Sequence, residues 1–117
     1  MTDEKYSFII PCYNSGETVF SVVTLLVKEM NKLGRSIHEV VLVNDCSPDG
    51  NATISALRDL SKQYEFVKVI NLAKNTGQHN AIMAGLRNAT GNVFIGLDDD
   101  LQTHPSQLDK LFSTYEK

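Results

Sequence analysis

Three consecutive aspartates, Asp98, Asp99 and Asp100, are the side chains in this sequence whose spacing most clearly suggests chemistry. They directly follow the apolar residues 93–97, so a buried strand would deliver their negative charge to one edge of a sheet. Carboxylates this close repel one another unless solvent or a cation screens them. Hard oxygen ligands suit Mg²⁺ or Mn²⁺, which commonly bridge to a phosphate-bearing ligand. The run therefore favours a metal-assisted nucleotide site over the alternative in which each Asp only serves a turn or a helix N-cap.

Composition supports a cation at such a site. The chain has 117 residues, 42% of them hydrophobic and 21% charged, which predicts a globular domain with its own core. The net charge is −3 and no basic cluster is present, so nucleic acid is not a predicted partner. A negatively charged protein that binds an anionic nucleotide needs a cation between the two.

The elements that would position these aspartates can be located from the hydrophobic pattern. Apolar runs at residues 8–10, 40–43, 67–72 and 93–97 predict four strands, and the second and fourth lack polar alternation, which is typical of burial on both faces of a parallel sheet. Apolar stripes at helical spacing lie between and after them. The order β-α-β-α-β-α-β-α predicts an α/β fold, a Rossmann-like, doubly wound, mainly parallel sheet.

Two of the helical stripes carry further detail. The first, from Val19 to Leu33, is followed by Gly34, a predicted stop signal. The third contains the small residues Ala81, Gly85 and Ala89, which predict close packing on the sheet. A fourth stripe begins after Pro105 and runs towards the end of the sequence.

Polar segments follow all four predicted strands, at residues 11–16, 44–50, 73–79 and 98–102. Ligands bind beyond the carboxyl ends of the strands in open parallel sheets, so this edge is the predicted site. Tyr13 could stack on a base or cover a helix end, and Asp45 could accept a hydrogen bond from a base or cap the second helix. Asn75 and Gly77 could contact a ligand or form only a turn, and Lys74 could balance a diphosphate or be a solvated charge.

Other signals restrict the class of protein. Cys12 and Cys46 lack metal-ligand spacing and are predicted to be buried thiols without a disulfide, in a reducing compartment. The polar, acidic start is unlike a signal peptide, and no apolar run approaches the ~20 residues that span a bilayer. His79 is expected in the first turn of a helix, and His38 is given no role. Phosphate-loop, dinucleotide and nucleophile-elbow motifs are absent from the sequence.

Four segments together resemble the motifs of family 2 glycosyltransferases, which use the GT-A fold. They match in order and spacing and read FIIPCYN at residues 8–14, VNDCSPDG at 43–50, NTGQHNAIMAGL at 75–86 and DDDLQTHP at 98–105. The last contains the DXD motif of that family. Within the family, the third and fourth segments look most like polyprenyl-phosphate sugar transferases.

The resemblance implies roles for individual residues. Asp45 would read a base N–H, Asp98 would face the ribose or sugar, and Asp100 would hold Mg²⁺ or Mn²⁺ across the diphosphate. The implied metal ligands are Asp100, Asp98 and Gln102. The implied substrate-binding residues are Pro11, Tyr13, Asn14, Asp45, Lys74, Asn75, Gly77, Asp98 and Asp99. Asn44 and Cys46 depart from the usual pattern and leave the base open.

The implied activity is inverting, metal-dependent transfer of a sugar from a UDP- or GDP-linked donor to a lipid phosphate or saccharide acceptor, with a non-catalytic nucleotide-sugar-binding module as the alternative. Relatives place the acceptor pocket and general base beyond the DXD strand. Residues 1–117 are therefore expected to be a single nucleotide-sugar-binding domain, a truncated part of a longer enzyme of hexosyltransferase type with little activity alone. The expected location is cytoplasmic, with membrane association at the inner face for the full-length protein only.

Overall fold

Strands and helices alternate along the described residues, 4–48 and 52–97 of this computed structural model. The elements are β1 (Tyr6–Cys12), α1 (Val19–Lys32), β2 (Ile37–Asn44), α2 (Ala52–Gln63), β3 (Val67–Asn71), α3 (Gln78–Asn88) and β4 (Val93–Gly96). The strands form one sheet in the order β3-β2-β1-β4, and every pair is parallel. The predicted α/β class and parallel sheet are confirmed. The predicted fourth helix and the aspartate run lie outside the described residues.

The two faces of the sheet carry separate hydrophobic clusters. Phe8, Ile10 and Leu42 point to the face covered by α1 and α2, whereas Ile9 and Val43 point to the face covered by α3. Successive side chains of a strand point to opposite faces, so odd and even positions of β1 and β2 serve different helices. Helices on both faces are the doubly wound arrangement that the sequence predicts. Within the described part of the chain, no helix has the length and apolarity required to cross a bilayer.

Helix α1 ends where the sequence predicts. Gly34 has φ +70°, a left-handed conformation that suits glycine. Its N–H donates to Asn31 O at 3.1 Å, and Arg35 N–H donates to Met30 O at 3.0 Å. This pair of bonds is a Schellman motif, which satisfies carbonyls at the helix end and turns the chain towards β2.

Helix α3 packs closely on β1 and β2 because Gly85 faces the sheet. A Cβ atom at this position would lie 2.5 Å from Ile9 Cγ2 and 3.2 Å from Val43 Cγ2. Ala81, one turn earlier, is fully buried against the same cluster. The predicted role of small residues in this helix is confirmed for both.

We expect Gly85→Ala to lower the free energy of unfolding by about 1–3 kcal/mol, because overpacking outweighs the roughly 1 kcal/mol that Ala gains in helix propensity. Urea titration would measure the change. Met83→Ala is the control, since Met83 lies on the same helix and is exposed. A Gly85→Ala protein at least as stable as the wild type would contradict this account of the packing.

Strand β4 differs from the expectation of burial on both faces. Ile95 is buried against the α1 and α2 cluster, but Phe94 on the opposite face is 49% exposed. The described part of the sheet ends at β4, and α3 lies over β1 and β2 instead. An apolar run in the sequence does not distinguish an edge strand of a sheet from a central strand. The expectation is right for β2 and wrong for β4.

A buried carboxylate joins the amino ends of the strands. Glu39 in β2 is 2% exposed and accepts hydrogen bonds from Ser7 Oγ and Thr90 N, both at 2.5 Å. Its Oε1 lies 2.8 Å from Lys68 Nζ, and Gly91 N–H donates to Ser7 Oγ at 2.9 Å. Burial by itself raises the pKa of Glu39. The hydrogen bonds from Lys68, Ser7 and Thr90 and the Lys68 charge lower it by more, so that the pKa is about 2, below its ordinary 4.5. The group fixes the turn between α3 and β4 to β1 and β2.

Candidate functional site

Three loops meet at the carboxyl edge of the sheet. We call residues 13–18 the first loop, 45–48 the second and 72–77 the third. Asp45 N–H donates to Cys12 O and Leu72 N–H donates to Asn44 O, both at 2.9 Å, so the parallel ladder continues to the point where the loops begin. The predicted convergence is confirmed for these three loops. The fourth polar segment, residues 98–102, lies outside the described residues.

The Asp45 side chain joins the second loop to the third. Its Oδ1 accepts hydrogen bonds from Thr76 N at 2.8 Å and Thr76 Oγ1 at 3.1 Å, and its Oδ2 accepts one from Gly77 N at 3.0 Å. Gly77 is the N-cap residue of α3, which has no cap from its own side chain. The alternative in which Asp45 caps the second helix is wrong. Odd positions of β2, such as Val43, face α3, whereas α2 covers the opposite face.

One hydroxyl group attaches the first loop to the second loop, and another attaches it to α2. Asn14 N–H donates to Ser47 Oγ at 3.0 Å, and Ser47 Oγ donates to Asn44 Oδ1 at 2.7 Å. Ser15 N–H donates to Thr53 Oγ1 at 2.9 Å, at the start of α2. Asn14 has φ +53°, a conformation that Asn tolerates better than most residues. These contacts fix the backbone beside Tyr13.

The side-chain amide of Asn44, where the motif usually has an aspartate, forms hydrogen bonds on two sides. Its Nδ2 donates to Asn71 Oδ1 at 3.1 Å, and its Oδ1 also accepts a hydrogen bond from Ser47 N at 3.1 Å. The residue is 2% exposed. The amide of Asn44 donates to Asn71 and accepts from Ser47 at the same time, which suits a side chain with one donor group and one acceptor group.

Tyr13 and Pro11 have different positions at this edge. Tyr13 is 45% exposed, which favours its interpretation as a stacking surface, because a ring that covers a helix end would be buried. Pro11 is buried within β1, opposite Val43. Ile9 O accepts a hydrogen bond from Leu97 N at 3.0 Å, so the polar backbone groups of Ile9 face the β4 side of β1. Pro11 lies two residues later and faces the same side, but proline has no N–H to donate. Within the described residues, the β1–β4 ladder therefore receives no N–H from β1 at Pro11.

The third loop carries the remaining described candidates. Lys74 and Asn75 are exposed, and Asn75 Oδ1 accepts a hydrogen bond from Gly77 N at 3.1 Å. Gly77 has φ +91°, which favours glycine. Asn75 and Gly77 thus form the turn that one interpretation requires, and their contact with a ligand stays a prediction.

The cysteines and histidines are placed as follows. Neither Cys12 nor Cys46 forms a disulfide in the described part of the chain, as predicted. Cys46 is exposed, so its predicted burial is wrong: it lies in the second loop with φ +53°, and its Sγ contacts Ala73 O at 3.6 Å. His79 lies in the first turn of α3, as predicted. His38, which was given no role, has Nε2 2.9 Å from Thr90 Oγ1.

The predicted metal ligands lie outside the described residues. Within residues 4–48 and 52–97, no group of three or more His, Cys, Asp or Glu side chains could hold a metal ion. In the sequence, Asp98, Asp99 and Asp100 come directly after Leu97, and Gln102 follows two residues after Asp100. Their carboxylate and amide oxygens match the hard ligands that Mg²⁺ and Mn²⁺ prefer, so the donor set fits such an ion.

Sequence reasoning missed the residues that connect the loops. Ser47, Thr53 and Thr76 each contribute a hydroxyl to a contact between two segments. For Ser47 and Thr76 the available signal was a small hydroxyl residue within a segment already predicted to converge, whereas Thr53 lies outside those segments. Their pairing could not be read because the bonded partners lie 31 to 38 residues apart.

The family of the chain can now be stated. Residues 7–117 match the sequence profile of Glycosyl transferase family 2. The chain belongs to this family. The match includes all four polar segments that follow the predicted strands, and it confirms the resemblance found in the sequence motifs.

Solved structures support the GT-A fold of this family 2 glycosyltransferase. The mannosyltransferase PcManGT from Pyrobaculum calidifontis, in complex with GDP-Man and Mn²⁺, is similar with a TM-score of 0.69 and 24% identity over 86% of this chain and 28% of that chain. GalNAc-T7 with UDP, GalNAc and Mn²⁺ is similar with a TM-score of 0.72 and 24% identity, over 83% of this chain and 18% of that chain. S. aureus TarS 1–349 in complex with UDP is similar with a TM-score of 0.69 and 23% identity, over 96% of this chain and 32% of that chain. The chain spans less than a third of the length of each.

Proposed function

We propose that this chain is the donor-binding part of an inverting, metal-dependent glycosyltransferase of hexosyltransferase type. The donor is a UDP- or GDP-linked sugar, and the acceptor is a lipid phosphate or a saccharide. The observation that carries the proposal is the convergence of three loops at the carboxyl edge of the sheet, where Asp45 joins the second loop to the third and Ser47 joins the first to the second. In a family 2 chain, this edge is where a nucleotide would bind.

The described residues would bind the nucleoside. Tyr13 would provide an exposed aromatic surface for the base, with Asn14 next to it in the first loop and Pro11 two residues before it at the end of β1. Asp45 presents a buried carboxylate that can accept a hydrogen bond from a base. The Asn14 backbone is held by Ser47, and the Asp45 carboxylate is held by Thr76 and Gly77, so the surface is largely formed before a ligand arrives.

The diphosphate would lie towards the acidic run. Asp98 and Asp99 would contact the ribose or sugar, while Asp100 and Gln102 would hold Mg²⁺ or Mn²⁺ together with Asp98. When bound, the ion supplies Lewis-acid stabilisation of the departing nucleoside diphosphate. Lys74 is exposed in the third loop and adds a positive charge towards the same phosphates.

Transfer requires groups that we place in the remainder of a longer protein. The solved relatives are at least three times the length of the aligned segment, as their coverage of 18% to 32% shows. We propose that residues 1–117 are one nucleotide-sugar-binding domain, with the general base and the acceptor pocket supplied elsewhere. We also propose a role in cell-envelope polysaccharide or lipid-linked sugar synthesis at the cytoplasmic face of a membrane.

Calorimetry with the full-length protein tests this function. UDP and GDP are titrated separately in Mn²⁺ and again in excess chelator. Metal-dependent binding of one nucleotide supports the donor site and identifies the base. Absence of binding by both would overturn the proposal. A sugar-transfer assay then separates the enzyme from a non-catalytic module, which would bind the same nucleotide without transfer.

We expect Asp100→Asn to abolish the difference in nucleotide affinity between Mn²⁺ and chelator, because one carboxylate ligand of the ion is lost. The measurement is the same pair of titrations. Asp59→Asn is the control, since Asp59 is an exposed aspartate on α2. An Asp100→Asn protein that keeps the full metal-dependent gain would exclude Asp100 as a ligand.

A further inference from the structure

We propose that Thr76 is a positioning residue that sets base selectivity through Asp45. Its hydroxyl orients the Asp45 carboxylate so that Oδ2 presents one acceptor position to the base. The inference rests on the proposed donor site and deepens it. It concerns a residue that was not among the predicted binding residues.

Hydrogen-bond counting identifies the available oxygen. A carboxylate has about four acceptor positions, two on each oxygen. Thr76 N and Thr76 Oγ1 occupy both positions of Asp45 Oδ1. Gly77 N occupies one position of Oδ2. With these contacts counted, Oδ2 can still accept one more hydrogen bond.

The remaining acceptor has a defined chemical preference. Asp45 is 4% exposed, so little water reaches the carboxylate. A buried carboxylate favours a donor opposite it and disfavours another acceptor or a methyl group. Uracil N3–H and guanine N1–H offer such a donor, whereas adenine N1 and cytosine N3 are acceptors. Where Oδ2 faces this ring nitrogen, the site should therefore select uracil or guanine.

Thr76 is itself held in place, which lets it orient Asp45. Asn80 Nδ2 donates to Thr76 O at 2.8 Å, and Ala81 N–H donates to Gly77 O at 3.0 Å. These contacts fix the third loop to the first turn of α3. The Thr76 hydroxyl is then the side-chain group that distinguishes Oδ1 from Oδ2, since each oxygen also receives one backbone N–H.

The test compares two ligands across four variants of the full-length protein. The ligands are the nucleoside diphosphate that binds the wild type and its analogue methylated at the imino nitrogen, uracil N3 or guanine N1. Thr76→Val removes the hydroxyl at nearly constant shape, and Thr76→Ser restores it. Thr90→Val is the matched control, because Thr90 Oγ1 lies 3.4 Å from Glu39 Oε1 at the opposite end of the sheet.

We expect the wild type to prefer the unmethylated nucleotide and Thr76→Val to reduce that preference by about fivefold, the effect of one modest hydrogen bond. Thr76→Ser should recover it and Thr90→Val should leave it unchanged. A general loss of structure would weaken both ligands equally and leave the ratio intact. Thr76→Ala repeats the measurement without added apolar volume in the loop.

Each other result is informative. If the wild type binds both ligands equally, or if Thr76→Val and Thr76→Ala keep the full preference, the inference is overturned while the donor site stands. If the wild type binds neither UDP nor GDP, the proposed function fails and the inference fails with it.

Discussion

Glu39→Gln is expected to lower the free energy of unfolding at pH 7 by about 3 kcal/mol. The folded protein holds the pKa of Glu39 at about 2 against an ordinary 4.5, and a difference of this size corresponds to on the order of 3 kcal/mol in favour of the charged form. Glutamine keeps the shape but loses the charge, and its amide N–H₂ would face one of the donors now bonded to the carboxylate. Those donors include Ser7 Oγ, Thr90 N and Lys68 Nζ.

The same carboxylate predicts a pH dependence. Because the pKa of Glu39 is lowered on folding, the unfolded chain binds more protons than the folded one between pH 4.5 and about 2. This contribution to stability is therefore complete above the unfolded pKa and is lost as the pH falls through that window. The wild type and Glu39→Gln should differ most at neutral pH and converge towards pH 2.

Urea unfolding curves from pH 7 to pH 2 would measure both effects. Glu65→Gln is the control, since Glu65 is exposed in the segment before β3. A difference below about 0.5 kcal/mol at pH 7, the range of ordinary surface changes, would show that the Glu39 contacts contribute little. A difference that stays constant down to pH 2 would contradict the assignment of the pKa.

Asp45→Asn is expected to weaken nucleotide binding by on the order of 30-fold, the range for a hydrogen bond to a charged group. The amide would place an N–H₂ against Thr76 N or Gly77 N, where the carboxylate now accepts. The base would lose its acceptor and the third loop would lose its link to β2. Both losses act on the same ligand surface.

Calorimetry with UDP and GDP gives the affinity, and amide hydrogen exchange of Thr76 and Gly77 reports the loop. Both amides should lose protection in Asp45→Asn. Glu39→Gln is the comparison, measured at a temperature at which it is folded, because it removes a buried carboxylate from the other end of β2. Equal nucleotide affinity in Asp45→Asn and wild type would remove Asp45 from the proposed site.

Much of the fold follows from local patterns in the sequence. The α1 stripe, its stop at Gly34 and the close approach at Gly85 depend on periodicity and on residue size, which are visible within a short segment. The exposure of Phe94 depends on which strands lie beside β4, and that is a property of the whole sheet. The predicted burial of Cys46 is wrong for a related reason, because the hydrophobic character of a residue does not determine whether its loop directs the side chain to solvent.

The site was predicted in position but not in its internal connections. Parallel strands bring their carboxyl ends together, so the convergence around Asp45 could be expected from the order of elements. Its partner Thr76 lies 31 residues away, and nothing local pairs them. Glu39 had a readable signal, since position 39 alternates with the buried Val41 and Val43. Its partners Ser7 and Thr90 come from distant segments and could not be deduced.

The distance between two carboxylates on strand β2 restricts the length of helix α3. Glu39 and Asp45 lie on the same face of β2, and from position 39 to position 45 a strand rises about 20 Å. Asp45 holds the start of α3 and Glu39 holds the turn after its end. The 11 residues of α3 span about 16 Å, which fits between those anchors. An insertion or deletion within α3 would detach one of the two carboxylates, so among descendants of this sequence the length of α3 should be nearly invariant while its exposed side chains change.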